Sequence, residues 1–443
     1  MKPSNYIITL TLIFVASSCT DFLDVKPRKG LVVPASLQDF QALLEKEGES
    51  QQDPQWGEIS SDDFYYEDAV FASRNEIIRN AYTWDRGDVF GNEQLFDWLY
   101  HYRFIYHANT VLEGLNDIER TAQNSWDWDK LKGEALFFRA KCHFNIANIW
   151  ADAFDPTSAT AKLGIPLRLH TDFNQGSVRS TLEETYRQII EDLEAASKLL
   201  PELPVHVVRP SKCAAYALLA RVNLFMRNYP ETLRYADACL KLKSELMDYA
   251  ELSLSASYPI EMYNKEVIYH SYMLVGLTNS VVSPDLMALY DEGDLRVPLF
   301  FRESGAGFKG SYYGRSTLFA GIAVDEVYLM RAEAYARTGE LDLAVADLNY
   351  LLQNRYAPDA FEPIATTDSE YLLHCILEER RKELVFRGIR WPDVKRLNLE
   401  GAGIKMTRTI NGIEHVLNPN DARFSLPIPQ GVVNITGMEQ NPR

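Results

Sequence analysis

The sequence predicts a mostly α-helical fold: tetratricopeptide-like helix–turn–helix units with irregular, loop-rich insertions and minor strands. Three observations predict it. Apolar residues return at steps of three and four over long stretches. Two separate segments each read as a helix pair closed by a tight turn. Candidate strand material is short, confined to Glu266–Leu274 within a loop-rich region, 244–320.

At the N-terminus, Lys2 precedes an apolar run from Ile7 to Val15, then Ala16-Ser17-Ser18 and Cys19. That run is about half the ~20 residues a membrane span needs, so residues 1–18 read as a cleaved export signal. A cysteine directly after small residues fits lipoprotein processing, in which the Cys19 thiol is acylated and tethers the mature chain to a membrane. Residues 19–443 then form one domain. Residues 50–90 mix polar runs with aromatics. Leu95, Leu99, Tyr102, Tyr106, Asn109 and Leu112 mark a long helix from about Asn92 to Asp117. Leu131, Ala135, Phe138, Cys142, Ile146 and Ile149 repeat the pattern in the next segment. Thr181 with Glu184 forms a capping box opening a helix that Pro201 and Pro204 end. Ser211 caps the first hairpin, 211–242, which turns at Asn228-Tyr229-Pro230; the second, 327–352, turns at Gly339. Ala220, Ala332 and Ala334 let the helices approach closely, and such units bury their apolar faces only by stacking on neighbours.

Composition narrows function. With 45 basic and 62 acidic residues the net charge is −17, which disfavours nucleic acid and anionic lipid as partners. The remaining cysteines, Cys142, Cys213, Cys239 and Cys375, form no Cys-x-x-Cys pair and read as buried thiols. No catalytic motif is present: neither His-Glu-x-x-His nor Gly-x-Ser-x-Gly occurs. Gly305, Gly307 and Gly310 match G-x-G-x-x-G, but neither a strand before nor a helix after gives them the dinucleotide-binding context. No metal or organic cofactor is expected; the acidic stretch Ser61-Asp62-Asp63 with Glu67-Asp68 is the one whose clustered carboxylates could suit Ca²⁺, and a solvated loop explains it as well. The run Glu378–Glu383 reads as a structural helix laced with i,i+4 pairs such as Glu378 with Lys382.

Five segments in order resemble one family across essentially the whole chain. They are SSCTDFLDVKP (17–27); GEALFFRAKCHFNIANIWADAF (133–154) with Gly164-Ile165-Pro166-Leu167; the two hairpins; ERRKELVFRGIRWPDVKRLN (379–398); and FSLPIPQGVVNITGMEQNPR (424–443). The chain is identified as resembling the SusD/RagB family of outer-membrane nutrient-binding lipoproteins. Arg387, Pro392 and Gly431 depart from frequent family residues, and the chain stops at Pro442-Arg443. The resemblance implies a SusD-like helical fold and a binding protein rather than an enzyme. It also implies a lipid anchor in the outer membrane, facing the cell surface, and a SusC-like TonB-dependent transporter as partner. Oligosaccharides are the first ligand expectation, peptides as in the RagB branch the alternative, and a secreted helical glycan-degrading enzyme a more distant one. Carried onto this chain, the family's ligand-holding loops fall at 81–92 and 269–315. Within them Trp84 and Tyr312 are expected as stacking platforms, Tyr272 and Tyr313 as further ones, and Asp85, Asn279 and Arg315 as hydrogen-bond partners. Tyr312 and Tyr313 are adjacent, so in an extended loop only one of them faces a given ligand.

Overall fold

The structure, a computed structural model, describes residues 34–45, 51–91, 96–277, 279–302 and 307–443. About half of the chain is helical, in sixteen helices among the described residues, with a few short strands. The export segment and Cys19 lie outside the described residues.

Helix α1 (Leu37–Leu44) opens on a capping box between Ser36 and Asp39. Three short helices follow: α2 (Trp56–Ser60), α3 (Asp68–Ala72) and α4 (Glu76–Tyr82). They lead into α5 (Phe96–Gly114) and the 26-residue α6 (Ser125–Trp150), the central column of the fold. The sequence suggested one apolar stripe on α6; instead nearly its whole circumference is buried from Leu131 onward. Its charged positions are covered in pairs: Arg139 donates two hydrogen bonds to Asp192 (2.7 and 2.6 Å), and Lys141 is paired with Asp53. Helix α7 (Leu182–Leu199) begins at the expected capping box, Glu184 N–H donating to Thr181 Oγ1 at 3.1 Å and Thr181 N–H to the Glu184 carboxylate at 2.9 Å.

The two hairpins form as α8 (Lys212–Phe225) with α9 (Tyr229–Leu242), and α12 (Val324–Thr338) with α13 (Leu341–Leu352). Ala217, Ala220, Ala332 and Ala334 are fully buried where the helices meet, and α9 packs on α12 to join the hairpins. Gly339 ends α12 at φ +89°, a left-handed conformation that glycine adopts without a Cβ penalty. At the first turn the left-handed residue is Arg227 (φ +61°), one before the Asn228 that the sequence pointed to.

Helices α10 (Pro284–Met287), α11 (Arg296–Phe300), α14 (Ser369–Glu383), α15 (Arg390–Leu399) and α16 (Gln430–Thr436) complete the set. The candidate strand 266–274 forms in two pieces, β4 (Val267–Tyr269) and β5 (Tyr272–Met273), interrupted at His270-Ser271. Both pair antiparallel with the chain that leads into α12, β4 with β8 (Ile322–Ala323) and β5 with β7 (Leu318–Phe319). The remaining ladders are equally small: β1 (Phe64–Tyr65) with β6 (Val281–Val282), β2 (Leu163–Pro166) with β3 (Arg179–Thr181), and the hairpin β9 (Met406–Ile410) with β10 (Ile413–Leu417).

The charged run on α14 departs from expectation. Glu379, Arg380, Lys382 and Glu383 are buried. Lys382 pairs with Glu379 (2.6 Å) and Asp294 (3.2 Å), while Glu378 faces His374 instead. Around them a polar core runs between the second hairpin and the C-terminal helices. Arg296 bridges Asp294, Glu379 and Glu383 at 2.7–3.0 Å. Arg355 bridges Glu383 (2.7 Å) and Glu266 (2.9 Å), and Arg396 reaches Glu333 (2.6 Å) and Asp393 (2.8 Å). Each guanidinium meets two or three carboxylates, the arrangement that can offset the cost of taking so many ions out of water.

Candidate ligand-binding site

The break between β4 and β5 positions a row of rings. His270 N–H donates to the Val207 carbonyl at 2.8 Å, tying the proline-bounded loop after α7 to the sheet. From there aromatic rings follow one another: His206 to Tyr263 (centroids 4.5 Å), Tyr263 to His270 (4.7 Å), His270 to Tyr313 (5.4 Å) and Tyr313 to Tyr272 (5.5 Å). His206 and Tyr263 are exposed, Tyr272 and Tyr313 half-buried, and His270 forms the buried floor. A groove of about 270 Å³ runs beside the row between Leu203–Val207 and β4, with His206 and Tyr263 in its wall.

Local chemistry fixes these rings. Tyr313 sits in a turn whose Gly314 N–H donates to the Ser311 carbonyl at 3.0 Å. The Ser311 hydroxyl accepts from Tyr313 N–H (3.2 Å) and Phe319 N–H (2.9 Å) and donates to the Thr317 carbonyl (2.7 Å). Gly314 takes φ +67°, and a Cβ there would stand 2.9 Å from the Met262 nitrogen, so the turn requires glycine. Tyr263 adopts φ +63°, a strained conformation for a bulky residue and one that clusters at ligand-holding positions. Burial, reinforced by neighbouring His206, pushes the His270 imidazole down to about 4, so the floor of the row is uncharged at neutral pH. Neutral rings flanked by polar edges suit the apolar faces of sugar rings.

Of the expected residues, the structure brings Tyr272 and Tyr313 together and separates the rest. Trp84 is buried at 1% exposure, its Nε1 donating to the Ser60 carbonyl at 2.9 Å and the Arg408 guanidinium 4.7 Å from its ring. Tyr312 is fully buried; its hydroxyl donates to Glu266 (2.7 Å), and Asp325 and the Tyr249 hydroxyl lie at 3.1 and 2.9 Å. Neither can be a stacking platform: Trp84 fills the apolar core, and Tyr312 faces inward to the polar core while its neighbour Tyr313 faces out. Asn279 is exposed at φ +60° on the turn before β6, and Arg315 is exposed just past Gly314. Asp85 is exposed, but its carboxylate closes a local turn with Gly87 N–H (2.6 Å) and its carbonyl accepts from Arg443, so it belongs to the C-terminal side of the molecule.

The acidic stretch is solvated only at Glu67 and Asp68; Asp62 and Asp63 are covered by arginines. Arg390 donates to Asp62 at 2.7 and 2.9 Å, and Arg381 to Asp63 at 3.0 Å. His206, Tyr263 and His270 were missed from sequence. His206 and Tyr263 sit in segments without periodicity, while His270 lies within the candidate strand 266–274 and the stretch 269–315, where no local pattern distinguishes it from its neighbours.

The helical scaffold thus presents a row of aromatic rings beside a groove, an arrangement suited to holding a ligand rather than to acid–base chemistry. Two family models match the chain, one described as starch-binding associating with outer membrane over residues 21–224 and the other as the SusD family over residues 324–443. The chain belongs to the SusD/RagB family. SusD-like protein P38 of Formosa agariphila is 21% identical over 439 residues, covering 81% of each chain. SusD-like protein P25 of the same organism is 24% identical over 313 residues, 67% of this chain; the match spans 55% of the length of that relative.

Solved structures establish the fold. A SusD superfamily protein from Bacteroides thetaiotaomicron superposes with a TM-score of 0.76 at 21% identity, covering 92% of this chain and 100% of that one. A putative sugar binding protein from Bacteroides vulgatus gives 0.76 at 22% identity, covering 93% and 99%. A laminarin-binding SusD-like protein gives 0.64 at 18% identity, covering 91% and 97%.

Proposed function

We propose that this protein is a surface-facing outer-membrane lipoprotein, anchored through Cys19, that captures oligosaccharides and hands them to a SusC-like TonB-dependent transporter without altering them. The observation that carries the reading is the ring row His206–Tyr263–His270–Tyr313–Tyr272, whose exposed and half-buried members around the His270 floor present aromatic surface to which sugars can pack. Membership in a family described as starch-binding and associated with the outer membrane supports it, as does the laminarin-binding neighbour. No helix among the described residues is long and apolar enough to cross a membrane.

Calorimetric titration with maltoheptaose, laminarihexaose and a mixed peptide library tests the ligand class. Saturable binding of one of the gluco-oligosaccharides, with the sugar recovered intact, is expected. Binding of peptides alone would move the protein to the RagB-type reading, and new reducing ends would make it an enzyme.

A further inference from the structure

We infer that a second saccharide site, specific for pyranose rings carrying a carboxylate, lies apart from the ring row, in the groove between α5, the loop 167–178 and the C-terminal segment. This groove encloses about 310 Å³ and shares no lining residue with the row. Its size is in the range of small-ligand sites.

The loop is built to display one ring. Phe173 is 78% exposed at its tip, yet it stacks at 4.9 Å and 29° on Tyr106 of α5. The backbone beneath is tied down at many points. Arg168 donates to the carbonyls of Gln175 (2.7 Å) and Asp172 (2.8 Å), and Asn109 of α5 donates to the carbonyl of Arg168 (3.0 Å). Glu113 accepts from Thr171 N–H (3.0 Å) and from its hydroxyl. A phenylalanine held so firmly in water forgoes the burial that would favour it elsewhere, and a preformed aromatic face costs a ligand little ordering. One face of Phe173 meets Tyr106; the other is open.

Charge selects the ligand. In a protein of net charge −17, no carboxylate among the described residues lines this groove, whereas Arg168 and His170 do. His170 is 3.6 Å from Glu113, and Asp172 is turned into its own loop, accepting from Asn174 N–H at 2.8 Å. Arg168 donates only to neutral oxygens and has no carboxylate partner among the described residues. Its positive charge stays unmatched at the wall of an aromatic groove. A uronic acid residue supplies both complements, an apolar ring face for Phe173 and a carboxylate for Arg168.

The test titrates the purified protein with trigalacturonate, trimannuronate and neutral maltotriose, at low and at high salt. One of the uronides should bind about tenfold or more tightly than maltotriose, and less tightly at high salt. Phe173→Ala should weaken it by roughly tenfold, the size of a lost aromatic anchor. The substitution is at an exposed tip, so the melting temperature should not move. The paired substitution Tyr263→Ala/Tyr313→Ala should leave uronide binding intact, which separates this site from the ring row. Absence of uronide binding, equal binding of maltotriose, or indifference to Phe173→Ala would each overturn the assignment, whether or not the ring row binds its own glycans.

Discussion

Tyr312 and Tyr313 are neighbours in sequence and belong to two regions with opposite tasks. Tyr312 reaches inward, its ring 4.1 Å from the Arg387 guanidinium and its hydroxyl on Glu266, as one member of the buried ionic core. Tyr313 turns outward into the row with His270 and Tyr272. In the core, every polar atom lost leaves another stranded away from water, so substitutions there cost stability. In the row, half-exposed rings contribute little to folding and keep a face for a ligand. The same residue type therefore serves rigidity on one side of the chain and recognition on the other, and variants should separate the two.

Arg355→Met should have the largest effect on stability. It leaves Glu266 and Glu383, both fully buried, without the guanidinium they share. Breaking a buried pair from one side costs about 3–5 kcal/mol, so thermal denaturation should show a fall in Tm of many degrees. A shift no larger than that of a surface substitution would mean that this network does not hold the fold.

Ala332→Asp comes next. It places a carboxylate at a fully buried position on α12, where the hairpins stack. A loss of roughly 2–4 kcal/mol in denaturant unfolding is expected. Leu218→Asp on α8, at a site of equal burial, should behave alike; near-native stability of both would break the stacking account.

Glu58 sharpens the comparison through pH. Burial, aided by the charge of Asp63, pushes its carboxyl from the usual 4.5 up to about 8. The folded state thus holds a proton that the unfolded chain has released. This contribution is complete below about pH 4.5 and is lost as the pH rises toward 8. Glu58→Gln, neutral at every pH, should flatten the decline in stability between those limits, as unfolding curves measured across that range would reveal. A variant whose pH profile overlays the wild type would place the titration elsewhere. Glu333 has the opposite sign: burial alone would raise it, but Arg396, Arg337 and Arg380 outweigh that and hold it at about 2, so its contribution disappears only as acid is added.

What the sequence discloses follows the same division. The hairpins are legible because periodicity, small residues and turn chemistry are local: Ser211 at a cap, alanines at the contacts and Gly339 in the left-handed position need no distant partner. The Thr181–Glu184 box is legible for the same reason. The run at 378–383 is not, because its facing depends on Asp294 and Arg296, more than eighty residues away, and no pattern within the run records them. The ring row is hidden similarly. Trp84 and Tyr263 both sit in aperiodic segments, and only tertiary packing decides that the first is buried beside Arg408 while the second stands at the surface. The family resemblance pointed to the stretch 269–315, which contains Tyr272 and Tyr313, yet it could not say which of two adjacent tyrosines turns outward.

The central claim is that the outward row recognises glycans and does not support the fold. It is tested most directly by titrating wild type and the Tyr263→Ala/Tyr313→Ala variant with whichever gluco-oligosaccharide binds, alongside their melting curves. The account predicts a loss of roughly 1–3 kcal/mol in binding free energy for each platform removed, with the two melting temperatures nearly the same. Undiminished affinity in the variant would contradict it.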